Sequence, residues 1–270
     1  MLASPSVPRP RSSPVTFDRD IPRHWWGGVA VASHIVNGVN LLFPAGERFF
    51  VRSVRHYMDQ IEDPLLREQV KGFFGQEGRH AQAHERFFEV LEAQGYEIAP
   101  FLESYERFAY GWVEPRTSPE LHLAVTVALE HFTAILAQNA LTDGLLDHAH
   151  PDMKALLLWH ACEEIEHRSV AFDVLQVVAP SYSLRMRGLA VATVALGAYW
   201  VAAVAMLLKQ DRARGERGAI RSFRKVPRKG TILQRVFVRG IREYVRRDFH
   251  PSQNAIDGLA AEYLTSAGIA

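Results

Sequence analysis

The chain has 270 residues, 48% of them apolar, with 18 Gly and 14 Pro, enough to bury a sizeable core as one large domain or two small ones. Its single cysteine, Cys162, excludes a disulfide framework and any multi-cysteine zinc site, which fits a reducing cytoplasm. The net charge of +1 hides a division: residues 209–247 hold 14 Lys/Arg against Asp211, Glu216 and Glu243, a local +11 that leaves −10 for the remainder.

In chain order, "MLASPSVPRPRSSPVTF" lacks the apolar stretch of a signal peptide, so residues 1–20 read as a disordered tail. "GVAVASHIVNGVNLLFPAGERFFVRSVRHYMDQI" predicts a helix over about 29–60, kinked or interrupted at Pro44 and Gly46. Asp63-Pro64 is an N-cap with Pro at the first helical position, and the helix it opens stops at Gly95. After a looser stretch at about 96–117, Ser118-Pro119-Glu120 opens another helix. Pro151 opens a further one, which runs to Pro180. Four long helices with mostly short connections predict an all-α fold, a four-helix bundle over 21–180. Residues 181–270 then add an apolar helix and basic C-terminal helices packed on the bundle.

"GLAVATVALGAYWVAAVAMLL", residues 188–208, is uncharged and flanked by Arg185, Arg187 and Lys209. It is long enough for a single transmembrane span, while its Ala and Gly content also suits a helix buried against the bundle or lying on a membrane. In "RVFVRGIREYVRR", Val236, Phe237, Ile241, Tyr244 and Val245 oppose Arg235, Arg239, Arg242 and Arg246. Such a basic amphipathic helix suggests an anionic membrane surface, and a solvated face against the acidic bundle is the plainer alternative. No nucleic-acid-binding motif accompanies it.

The helices carry buried-looking charge. "HACEEIEHRS", residues 160–169, places two histidines and three glutamates in an apolar run, and charged groups are rarely buried unless paired or bound to metal. Glu164 and His167, three apart, project from one helix face. "QEGRH" repeats the spacing with Glu77 and His80, and Glu47 and Glu130 stand singly in apolar runs. Two single glutamates and two Glu-x-x-His pairs are the ligand set of di-iron carboxylate bundles. With a turn near residue 62, Glu47 and Glu77 are both ~22 Å from it at ~1.5 Å per residue. Glu130 and Glu164 match to within one turn, so all six can share one layer. Four carboxylates and two imidazoles hold two divalent irons with little excess charge, and carboxylates bridge the pair.

His84 follows His80 by four and shares its face, which makes it the choice for a third histidine ligand. His160, four before Glu164, reads as a core or supporting histidine. Glu163, Glu166 and His131 fall on other faces, at the surface or behind the ligands. Asp173 could orient a ligand imidazole, and Arg48 stands beside Glu47 as an ordinary ion-pair partner.

Together "HWWGG", "LLFPAGERFFVRSVR", "QEGRHAQAHERF" and "HACEEIEHRSVAFDVL" resemble a bacterial family catalogued as predicted metal-dependent hydrolases, and the order of the acidic and histidine residues resembles the ferritin-like di-iron superfamily. The resemblance covers nearly the whole chain after about residue 20. It implies a ferritin-like fold and, position by position, metal ligands at Glu47, Glu77, His80, Glu130, Glu164 and His167. The leading expectation is a non-haem di-iron enzyme activating O2 to oxidise, hydroxylate or desaturate an organic, lipid-like substrate, with an electron donor. The cofactors would be two Fe ions, with Mn/Fe or Zn as alternatives. The second is a hydrolase acting through a two-metal-activated water, and the third a non-enzymatic iron-binding or redox-sensing bundle. A cytoplasmic or membrane-associated location and a homodimer complete the expectations.

Overall fold

A computed structural model describes residues 7–17, 20–216, 238–254 and 256–269. Helices and their connections account for these residues, and their one extended pairing is an isolated bridge between Trp26 and Ala149.

The first predicted helix divides into α1 (Ala30–Asn40) and α2 (Phe43–Arg55), as the missing N–H of Pro44 dictates. Asp63 caps α3 (Pro64–Ala93) by accepting from the Leu65 N–H at 2.9 Å. At its far end Gly95 takes φ +85°, while Tyr96 and Gly95 donate to the Leu91 and Glu92 carbonyls, a Schellman ending that favours glycine. Arg67, early in α3, donates to the Met58 and Ile61 carbonyls, whereas Glu85, late in α3, accepts from Arg48 in α2. The two helices are therefore antiparallel.

The stretch read as loose contains α4 (Ala99–Phe108) and a π-helical turn over Ala109–Val113. Beyond it lie α5 (Pro119–Thr142) and α6 (Pro151–His167). The expected helix to Pro180 breaks after His167, and α7 (Val170–Val178) continues it. Arg168 explains the break, because its guanidinium takes the Ile165 carbonyl and also pairs with Asp257. α2 packs on α3 and α5, α3 on α6 and α7, and both of those on α5, which closes a ring.

α8 (Tyr182–Ala213) overruns the apolar segment at both ends and lies on α5 and α1. α5 also has the length and apolarity to cross a membrane, but it is the more deeply buried: 61% of its most apolar stretch against 22% for α8. Of the basic amphipathic segment, residues 235–237 lie outside the described residues, and α9 (Gly240–Tyr244) is its helical part. α10 (Asp257–Ser266) packs on α6 and α5.

Residues 7–17 depart from the disordered tail expected there. Val15 is buried, and Arg11 donates its backbone N–H to Glu163 at 2.9 Å. The Pro8 carbonyl sits so close to Gly72 that an added Cβ would fall 2.2 Å from it. Among the described residues the two largest apolar clusters lie on either part of α3. One centres on Phe73, Val127, Phe132 and Val170, the other on Trp25, Phe87, Met153 and Trp159. On α3 the stretch between Phe73 and Phe87 carries the polar residues that follow.

Candidate metal centre

α3 supplies Glu77, His80 and His84 at intervals of three and four, so one face of the helix presents all three. α6 supplies His160, Glu164 and His167 in the same way, α2 supplies Glu47, and α5 supplies Glu130. All eight are at most 4% exposed. Four groupings overlap, with ligand atoms within 4.8 Å of one another: Glu47, Glu77 and His80; Glu77, Glu164 and His167; His80, His160 and Glu164; and Glu47, His84 and His160. Glu130 joins them through His167, whose Nε2 lies 3.4 Å from its Oε2. The structure thus gathers all seven residues singled out in the sequence.

The imidazoles of the two Glu-x-x-His pairs are backed from behind. His80 donates Nε2–H to Glu163 at 3.0 Å, which leaves its Nδ1 lone pair facing Glu164 Oε1 at 3.6 Å. His167 donates Nδ1–H to Gln76 Oε1 at 2.8 Å, leaving Nε2 towards Glu77 at 3.0 Å. Gln76 is oriented in turn by donating to Glu166, and Arg11 binds Glu166 through both Nη atoms. Such backing fixes the tautomer of a metal-binding histidine.

Inside this shell the polar atoms go unanswered. Both oxygens of Glu47, Glu77 and Glu130 are buried without a hydrogen-bond partner, as are Glu164 Oε2, His80 Nδ1, His84 Nδ1 and His167 Nε2. Native interiors leave few such atoms unsatisfied, and seldom a converging set of them. Divalent cations are what such converging oxygens and nitrogens bind, and carboxylates with imidazoles suit iron, manganese or zinc. The residues present fit a metal centre.

Electrostatics agree. Burial, with the neighbouring carboxylates, pushes Glu47 well above the usual carboxyl range, and burial raises Glu77 and Glu130 as well. Burial lowers His80 and His84 into the neutral form a ligand needs. Burial alone would raise Glu164, yet His167 and His160 hold it well below its ordinary value. Burial would likewise lower His167, but Glu164 and Glu130 push it up.

Other side chains take places that the sequence left open or set differently. His160, expected as a supporting histidine, stands inside the cluster with Nε2 2.8 Å from Glu164 Oε1 and 3.9 Å from Glu47 Oε1. His84 meets it from behind, its Nε2 2.6 Å from His160 Nδ1. The half-buried Phe43 covers both rings at 4.8 Å. Glu163 is fully buried behind His80, and burial pushes its carboxyl up to about 8. His131 binds the Gly240 carbonyl. Asp173 pairs with His250 rather than with a cluster imidazole, and Arg48 pairs with Glu85 rather than Glu47. Gln76 carried no signal in the sequence beyond its place one residue before Glu77. A surface cleft of about 670 Å3 between Arg52, Tyr110, Glu114 and His122 touches none of the cluster residues.

Compared with curated proteins and with solved structures, the chain shows no match. Residues 9–255 do match a family described as "predicted metal-dependent hydrolase". With most of its length covered by that match, and with buried Glu/His groups able to hold metal ions, the chain belongs to the predicted metal-dependent hydrolase family.

Proposed function

We propose that the protein is a metal-dependent hydrolase with a two-metal centre in a ferritin-like bundle. One metal would sit on Glu47, Glu77 and His80, the other on Glu130, Glu164 and His167, with His160 or His84 as a further donor. The observation that carries the centre is the convergence of buried, unpartnered carboxylate and imidazole atoms, and the family description favours hydrolysis over the oxidative reading. When bound, the metals supply Lewis acidity and a nucleophile from water near neutral pH.

The chain's own residues then have definite tasks. Glu163 and Gln76 hold His80 and His167 in the tautomers that point a lone pair inward. Phe43, over His84 and His160, screens that side of the centre from water. The carboxyls raised by burial can hold a proton when the adjoining charge is absent. An ester or phosphate ester with an apolar portion is the substrate class proposed. The outward face of α8 supports it: Val194 is 71% and Val201 70% exposed, between exposed Arg187 and Lys209. We assign that face to an anionic lipid surface.

Activation of O2 at two irons is the second reading, favoured by the four-carboxylate donor set, which tolerates the ferric state. The two are separated with purified protein stripped by chelator and reloaded. Hydrolysis predicts turnover of chromogenic carboxylic or phosphate esters with Zn2+ or Mn2+ under anaerobic conditions, abolished by Glu77→Ala. Turnover confined to the ferrous protein, with O2 consumed and a ferric absorption developing, would replace hydrolysis by oxidation.

A further inference from the structure

A second group of metal-ligating side chains shares no residue with the bundle cluster. His24 lies in the segment before α1, His34 within α1, Asp211 in the last turn of α8, and Glu216 just beyond it. His34 and Asp211 are buried, with 0% and 2% of their side chains exposed, and His24 keeps 20%. Both imidazoles aim Nε2 at one oxygen: His24 is 2.8 Å and His34 2.6 Å from Asp211 Oδ2. His24 Nε2 is also 3.2 Å from Glu216 Oε2.

We propose that His24, His34, Asp211 and Glu216 form a separate mononuclear site for a zinc-type divalent cation. Two imidazoles and two carboxylates are a tetrahedral donor set that zinc accepts, and their charge neutralises the cation. The second oxygen of each carboxylate has support. Tyr96 donates its hydroxyl to Asp211 Oδ1 at 2.6 Å. Arg23 donates to Glu216 Oε1 at 2.7 Å. This is the outer layer of contacts that fixes metal ligands in place. Without metal, the two imidazole N–H groups crowd one carboxylate oxygen, and a cation at their common focus replaces both hydrogens. The site ties together segments 187 and 177 residues apart in sequence, so its occupant would staple the entry to α1 onto the end of α8. The claim does not depend on the bundle centre being catalytic.

The test uses the full chain, stripped with chelator and titrated with Zn2+ against a chromophoric competitor. Glu77→Ala/His167→Ala disables the bundle centre. In that background one equivalent of Zn2+ should remain, Co2+ in its place should show the intense visible bands of four-coordinate geometry, and Tm should rise by several degrees on loading. Adding His24→Ala or Asp211→Asn should abolish the stoichiometry, the bands and the rise together. If the background variant fails to fold, the same loss of one equivalent should appear on making His24→Ala in the otherwise unaltered chain. A folded background variant that takes up no Zn2+ makes the group a hydrogen-bonded cluster only and overturns the proposal, as does Zn2+ that survives both substitutions. An unaltered chain that takes up only this one equivalent would count against the proposed function and leave the present site standing.

Discussion

Glu163 stands one position before Glu164 and faces away from it, onto His80 Nε2 at 3.0 Å. Its other oxygen accepts from the Arg11 N–H at 2.9 Å. An amide cannot serve both contacts, because it has one accepting atom. In Glu163→Gln the oxygen that stays with Arg11 turns the NH2 group towards His80 and moves the imidazole proton to Nδ1, the atom that faces the cluster. We expect metal affinity to fall by roughly 10- to 100-fold in a chelator-competition titration, with the fold kept. Unchanged affinity would show that His80 binds no metal through Nδ1. The positions that cluster were legible in the sequence, since three- and four-residue intervals put Glu77, His80, Glu164 and His167 on inward faces. The supporting positions were not. Helical spacing shows which way Glu163 points, but the His80 it meets is 83 residues away. For the same reason His160 could be placed on the ligand face without its 2.8 Å approach to Glu164 being apparent.

α8 lies against α5 at Gly188, where an added Cβ would be 2.4 Å from the Ala124 carbonyl oxygen. A backbone atom cannot swing aside, so Gly188→Ala must push two helices apart. We expect a loss of about 1–3 kcal/mol by urea denaturation. Gly197 on the same helix has nothing within 4 Å of its Cβ position, so Gly197→Ala should instead gain up to ~1 kcal/mol from helix propensity. Equal effects at the two glycines would place the α5–α8 contact elsewhere. Prolines and caps made the starts of α3, α5 and α6 readable, because Asp63, Ser118 and Pro151 act within a few residues of where they stand. The break after His167 was hidden, since it depends on Arg168 reaching Asp257, 89 residues away. The packed segment around Val15 was hidden too, because its anchors, Gly72 and Glu163, belong to other helices.

For the whole molecule, the outward face of α8 and the excess of basic residues over 209–247 should bring the protein to anionic vesicles. Cosedimentation at low salt that weakens as salt screens the attraction is the expected result, and a protein that stays in the supernatant at low salt removes the lipid surface. Metal removal acts on the molecule as a whole because the centre joins α2, α3, α5 and α6. In the metal-free chain Glu47, Glu77 and Glu130 have carboxyls raised by burial, and that of Glu163 is at about 8. The folded state therefore prefers their protonated forms, and their contribution to stability, present at low pH, is lost as pH rises through the folded values. His167, raised by Glu164 and Glu130 against its burial, loses its contribution in the same direction. His80 and His84, lowered by burial, act the opposite way, but only below their ordinary value of 6.5, since above it they are neutral whether folded or unfolded. Glu164, held low, changes nothing in this range, being ionised in both states. Between about pH 6.5 and 8 every remaining contribution has one sign. The Tm of the chelator-stripped protein should fall steadily across that interval, whereas the metal-loaded protein, its carboxylates neutralised by cations, should keep a nearly constant and higher Tm. Calorimetry of both forms at matched ionic strength decides it, and a stripped protein whose Tm holds or rises from pH 6.5 to 8 would mean that these carboxylates are not buried together.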